Sequence, residues 1–159
     1  MEPIRVVWGT GAAPTAMASY DAALADAGLE NYNLVEVSSV VPAGATVEVV
    51  GTAPNLGPAG ERLTVVQGRA TVPPGEEHPA CAGLAWAVAD DGPGLFYESS
   101  GTDPEGVRAA VTEGLAAGEG LRDWEIQRRD DRFATTDPDA TAHTTAVVLA
   151  AYGTSEPIL

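Results

Sequence analysis

The sequence has no lysine. All eight basic residues are arginine, set against 23 acidic ones, and the net charge is −15. A surface of that sign repels phosphates, so nucleic acid is not an expected partner. The lone cysteine, Cys81, cannot close an internal disulfide and points to a reducing cytoplasm. No run of about 18 apolar residues occurs, so no helical membrane span is expected. The N-terminus has no basic stretch before an apolar one, and no secretory signal is expected. His78 and His143 lie far apart, and His78-x-x-Cys81 is too sparse for a zinc site, so no metal is expected. Gly9-Thr10-Gly11 lacks the third glycine of a dinucleotide fingerprint. There is no Gly-Lys-Ser/Thr phosphate loop and no Gly-x-Ser-x-Gly nucleophile elbow.

What is present suits one domain: 159 residues, 45% of them hydrophobic. The acids are spread along the chain rather than gathered in a tail. Dense carboxylates repel one another at low salt and weaken the compact state. At 1 M salt the Debye length falls to about 3 Å, and that cost is screened. The charge therefore predicts a high-salt cytoplasm.

Ile4 to Trp8 reads as a strand, followed by a tight turn at Gly9-Thr10-Gly11. Pro14 and Thr15 open a helix, with Thr15 or Ser19 as cap, and Gly28 ends it. Met17, Tyr20, Ala23, Leu24 and Ala27 recur at helical spacing as one buried stripe. One strand is expected from about Tyr32 to Val41, then others at Thr46–Val50, between Leu63 and Val72, and at Ala82–Val88. The turn at 90–94 predicts a hairpin to Leu95–Ser99. Asp103-Pro104 opens a second helix with Val107, Val111 and Leu115 on its apolar face. Trp124–Arg128 and Ala142–Tyr152 read as final strands, with Asp130, Asp131 and Asp137-Pro138-Asp139 in the connection. Two helices with seven or eight strands predict an α+β fold: a layered αββα sandwich of two antiparallel or mixed sheets flanked by helices.

Ser38 and Ser39 stand side by side in the most apolar part of "NYNLVEVSSVVP". Two serines in a strand would point to opposite faces, one bonded to backbone and one to water. A wider stretch gives them another meaning. Gly9-x-Gly11, Tyr20-Asp21-Ala22-Ala23-Leu24, Asp26-Ala27-Gly28 and Asn33-Leu34-Val35-x-Val37-Ser38-Ser39 strongly resemble the pyruvoyl-dependent arginine decarboxylase family. The dense part of the resemblance runs from Val7 to Gly44. Beyond it the chain matches in length and in strand–helix order. Glu36 and Ala43 depart from the pattern, standing where relatives often carry a basic residue and a second proline.

The resemblance implies self-cleavage between Ser38 and Ser39, giving chains 1–38 and 39–159. It implies a covalent pyruvoyl group made from Ser39, with neither pyridoxal phosphate nor metal. It implies decarboxylation of L-arginine to agmatine, a polyamine precursor, by a homotrimer with active sites at subunit interfaces. Asn33 matches the asparagine implicated in processing and the active site. Glu98 matches the proton-donating glutamate, for which a buried carboxyl is expected. Asp21 and Leu24 match positions that contact the substrate side chain. A carboxylate at Asp21 suits a guanidinium. Asn33 and Ser39 would lie about 20 Å apart on a straight strand. Either the strand bends or the two residues meet across subunits. Decarboxylation of another amino acid, and an unprocessed relative with a binding or assembly role, are the alternatives.

Overall fold

The computed structural model describes residues 1–159. Its elements run β1 (Ile4–Ala13), α1 (Ala16–Ala27), β2 (Asn33–Glu36), β3 (Val40–Val41), β4 (Val47–Gly51), β5 (Arg62–Val72), β6 (Cys81–Ala89), β7 (Gly94–Gly101), α2 (Pro104–Gly120), β8 (Ile126–Thr135) and β9 (His143–Tyr152). Five strands form a mixed sheet in the order β2-β5-β9-β1-β4, with β1–β4 and β2–β5 parallel. Four strands form an antiparallel sheet in the order β3-β7-β6-β8.

The two sheets pack face to face, and each carries one helix on its outer face. Strand side chains alternate between faces, so a strand buried on both sides reads as a continuous apolar run. Val6, Val66, Leu84, Trp86, Phe96, Val148 and Ala150 fill the layer between the sheets. Their neighbours Val7, Val65, Val147 and Leu149 pack beneath α1 with Ala23, Leu24 and Ala27. On the other sheet Ala85, Ala87 and Leu95 meet Val111 and Leu115 of α2. Each large side chain fully buried here contributes about 1.5–3 kcal/mol. The expected αββα sandwich is the observed architecture.

Helix ends follow their local chemistry. The Thr15 side chain accepts the Ala18 N–H, and Gly28 ends α1 at φ 82°. Asp103 caps α2 ahead of Pro104 by accepting the Glu105 N–H.

Four expectations are corrected. Gly9-Thr10-Gly11 is not a turn, because β1 continues through it to Ala13. The glycines are there for helix–sheet approach: a Cβ on Gly9 would collide with the Ala23 carbonyl oxygen, and one on Gly11 with the Ala23 nitrogen. Met17 is 75% exposed, since it precedes the point where α1 first meets β1, at Ser19 over Gly11. Asp130 and Asp131 lie inside β8, an edge strand, where Arg132 and Arg108 pair with them. The single strand expected from Tyr32 to Val41 is two strands in different sheets. β2 ends at Glu36 on the edge of one sheet, and β3 begins at Val40 on the edge of the other. Residues 37–39 make the crossing, and both serines are in it.

Candidate active site

The crossing is held at both ends. The Val37 N–H donates to the Val65 carbonyl of the first sheet at 3.0 Å. The Phe96 N–H of the second sheet donates to the Ser39 carbonyl at 2.8 Å. Between these anchors the Val40 N–H donates to the Ser38 carbonyl at 2.8 Å. That i to i+2 bond is a γ-turn centred on Ser39. It places a backbone donor on the carbonyl of the Ser38–Ser39 peptide. The Tyr152 hydroxyl donates to the Val40 carbonyl at 2.8 Å, so both peptide units flanking Val40 are fixed. Burial, and after it the Glu98 charge, push the Tyr152 phenol up to about 12. The hydroxyl therefore remains a donor at neutral pH.

The Ser39 hydroxyl donates to Glu98 Oε2 at 3.1 Å. Register explains the meeting. β3 covers β7 only through Val40↔Leu95 and Val41↔Gly94, with the Phe96–Ser39 bond just beyond. The chain then leaves for the other sheet, and the edge of β7 past Phe96 is uncovered. Glu98 shares the parity of Phe96 and so lies on the face toward the first sheet. Gly68 of β5 lets the two sheets approach closely beside it: a Cβ on Gly68 would come within 2.9 Å of the Gly83 carbonyl oxygen and 3.2 Å of the Ser99 carbonyl oxygen.

A cavity of about 360 Å³ occupies this uncovered edge, within the size range of small-molecule sites. Ser38, Ser39 and Val40 form one wall and residues 95–98 of β7 another, with Arg122 from beyond α2 at the side. The lining thus includes three hydroxyl-bearing residues, Ser38, Ser39 and Tyr97, with one carboxylate and one guanidinium. Glu98 is exposed, in contrast to the buried carboxyl expected from its apolar strand, because nothing in this chain covers β7 there.

The other sequence-derived residues lie elsewhere in the same chain. Asn33 is exposed at the start of β2, and its side-chain amide donates to the Gly60 carbonyl at 2.8 Å. Its backbone N–H donates to the Glu61 carbonyl. The chain does bend between Asn33 and Ser39, yet Asn33 does not line the Ser39 cavity. Asp21 is exposed on α1, and Leu24, 7% exposed, is packed into the cluster beneath that helix. Arg122, Tyr152 and the Phe96 N–H were not singled out from the sequence. Arg122 had one available signal, its place two residues before Trp124 just after a helix end.

An αββα sandwich that turns a Ser-Ser peptide at its second serine, against a carboxylate, defines a serine–carboxylate site built at a sheet-to-sheet crossing. Comparison with known proteins names the family. The family model for pyruvoyl-dependent arginine decarboxylase matches residues 3–157. Curated proteins named pyruvoyl-dependent arginine decarboxylase from two strains of Halobacterium salinarum are each 55% identical over 160 residues, covering 99% of this chain and 98% of theirs. One of the same name from Methanopyrus kandleri is 55% identical over 40 residues, 25% of this chain and 27% of its own. The chain belongs to the pyruvoyl-dependent arginine decarboxylase family.

Proposed function

We propose that this chain cuts itself between Ser38 and Ser39 and then decarboxylates L-arginine to agmatine and CO2. The observation that carries the reading is the Ser39 hydroxyl held on Glu98 inside a γ-turn that already engages the Ser38 carbonyl. In the first step Ser39 Oγ attacks the Ser38 carbonyl carbon. The Val40 N–H is placed to stabilise the oxyanion that develops there. Glu98 draws off the hydroxyl proton. This step leaves the chain joined by a Ser38–Ser39 ester, and elimination of the Ser38 carboxylate then gives fragments 1–38 and 39–159, the second starting at the site of Ser39.

The cofactor fits these residues because Ser39 is its source, with an acceptor for its hydroxyl and a fixed carbonyl. A pyruvoyl group formed from Ser39 would supply a carbonyl electron sink for the electrons released with CO2. The chain's own contribution is orientation and proton control. The Phe96 N–H holds the Ser39 carbonyl, and Tyr152 holds the next one. Glu98 is the group within reach to deliver a proton to the substrate Cα.

Asn33, Asp21 and Leu24 act on the Ser39 cavity of a neighbouring subunit, in a homotrimer with shared sites. Support comes from the open cavity, from the exposed Glu98, and from Val35, Val37 and Val40, each exposed by 40% or more around the serines. Asp21 offers its carboxylate to the substrate guanidinium. Leu24, buried beneath it, sets the helix face that presents it.

The test is direct. Protein purified at high salt and given L-arginine releases CO2 and agmatine in equal amounts, and light scattering sizes it as a trimer. Release of CO2 from another amino acid but not arginine overturns the substrate. A monomer of full activity overturns the shared site.

High salt is part of the same proposal, with a salt-rich cytoplasm as the compartment. No helix is long and apolar enough to cross a membrane. Five of the eight arginines form ion pairs, all with at least one partner well exposed, which leaves most of the 23 acids without a cation. The two full-length relatives come from a Halobacterium. Raising salt from about 0.1 M to molar concentration shrinks the Debye length from about 10 Å to about 3 Å. The melting temperature is expected to rise by roughly 4–8 °C, the shift that about 2 kcal/mol gives in a domain of this size. Identical melting at both salts contradicts the adaptation.

A further inference from the structure

We propose that Arg122 receives the carboxylate that self-cleavage leaves on Ser38, and thereby speeds the elimination step that creates the new N-terminus. The inference rests on the self-cleavage reading above and goes beyond it, to a residue that the family resemblance did not supply.

Acids outnumber bases 23 to eight in this chain, so an arginine without an acidic partner stands out. Arg5, Arg62, Arg108, Arg129 and Arg132 all have one. Arg69, Arg122 and Arg128 do not, and of these three only Arg122 lines the Ser39 cavity. Its guanidinium is nonetheless fixed. Nη1 donates to the Gly118 carbonyl at the end of α2 at 2.8 Å, and the group lies 5.2 Å from the centre of the Trp124 ring. Its remaining N–H donors are uncommitted. Of the cavity's lining residues it alone is basic, and it shares that lining with Ser38, Ser39 and Glu98.

Self-cleavage needs such a group at one defined moment. Ser39 Oγ bonds to the Ser38 carbonyl carbon, the peptide C–N bond breaks, and the hydroxyl proton ends on the Ser39 nitrogen. The chain is then joined by an ester and carries a free amine. Next the Ser39 Cα proton passes to solvent, the Cβ–Oγ bond breaks, and the bonding pair leaves with the Ser38 carboxylate. The resulting enamine tautomerises, takes up one water and loses ammonia. Charge appears on the Ser38 carboxylate in the elimination, in the cavity that also holds the Glu98 side chain. A prepositioned guanidinium in the same cavity stabilises that developing charge, and Arg presents a fork of donors that fits a carboxylate.

The substrate's α-carboxylate is the other carboxylate that could enter. It is a poor match for the role, because it loses its charge as CO2 departs. A guanidinium paired to it would stabilise the ground state more than the transition state.

The experiment follows newly refolded proenzyme in high salt, with and without hydroxylamine, which cuts the ester but not the peptide. In Arg122→Gln, formation of the blocked 39–159 fragment slows at least tenfold. The hydroxylamine-sensitive fraction of the chain rises, which marks a stall at the ester. Arg122→Lys recovers part of the rate, and the melting temperatures of all three proteins agree. Processing of Arg122→Gln at the wild-type rate overturns the proposal. So does wild-type processing with a raised KM for arginine, which assigns Arg122 to the substrate. So does slow processing without ester accumulation. A wild-type chain that never cleaves sinks the self-cleavage reading itself, whereas a wild type and an Arg122→Gln that cleave alike sink only the role of Arg122.

Discussion

Ser39→Ala is expected to remain a single polypeptide of about 16.2 kDa, with no decarboxylation of arginine above background. The substitution removes the nucleophile and the source of the cofactor in one step, so no second route restores either. It is not expected to disturb the fold. Ser39 is half-buried, its side chain makes one hydrogen bond, to Glu98, and its backbone bond to Phe96 is independent of the hydroxyl. Loss of one such hydrogen bond costs about 0.5–1.5 kcal/mol, a small part of a domain's stability. Denaturing electrophoresis and an agmatine assay read the outcome. A Ser39→Ala protein that still releases CO2 from arginine contradicts the mechanism, and one that fails to fold shows itself by its melting curve.

Glu98→Gln separates the two stages. The amide keeps an oxygen that accepts the Ser39 Oγ–H, and it has the same shape as the carboxylate. Cleavage is therefore expected to proceed, more slowly, to both fragments. The amide cannot deliver a proton to the substrate Cα. Loss of a positioned general acid costs about 10²–10⁴ in rate, or about 3–5 kcal/mol in barrier. The loss should fall on kcat, with KM for arginine little changed, because the substrate side chain is recognised elsewhere. Steady-state kinetics on fully processed protein gives the split. Wild-type kcat removes Glu98 from proton transfer. Complete failure to cleave moves its main role to the Ser39 hydroxyl.

The parts of the fold that local chemistry controls were legible. Thr15, Gly28 and the Asp103-Pro104 pair mark helix ends by rules that need no tertiary context. The continuous apolar runs at Cys81–Ala89 and in β9 announced strands buried on both faces. The crossing at 37–39 was not legible. Valines run through it at positions 35, 37, 40 and 41, with no glycine or proline to mark the break, and Pro42 comes only after β3. Gly9 and Gly11 misled for a related reason: a glycine that permits a turn and one that admits a helix backbone look alike in sequence.

The site divided in the same way. The serine pair was recognisable through the block of residues around it, and Glu98 through the strand that carries it. Their contact, across 59 residues of chain, is a consequence of register between β3 and β7. Tyr152 reaches Val40 from 112 residues away, at the end of a strand whose other residues are mostly core. No local pattern marks a phenol as the anchor for a distant carbonyl. The separation of Asn33 from Ser39 was legible, because strand rise alone limits their approach. What the fold adds is that the bend does not bring them together in one chain, since Asn33 is engaged with the loop at Gly60.

Denaturing mass spectrometry of the purified protein, kept at high salt until analysis, tests self-cleavage at Ser38–Ser39 most directly. Two fragments are expected, 1–38 ending in a free carboxylate and 39–159 lacking a free amino terminus. A persistent intact chain of 16.2 kDa contradicts the proposal.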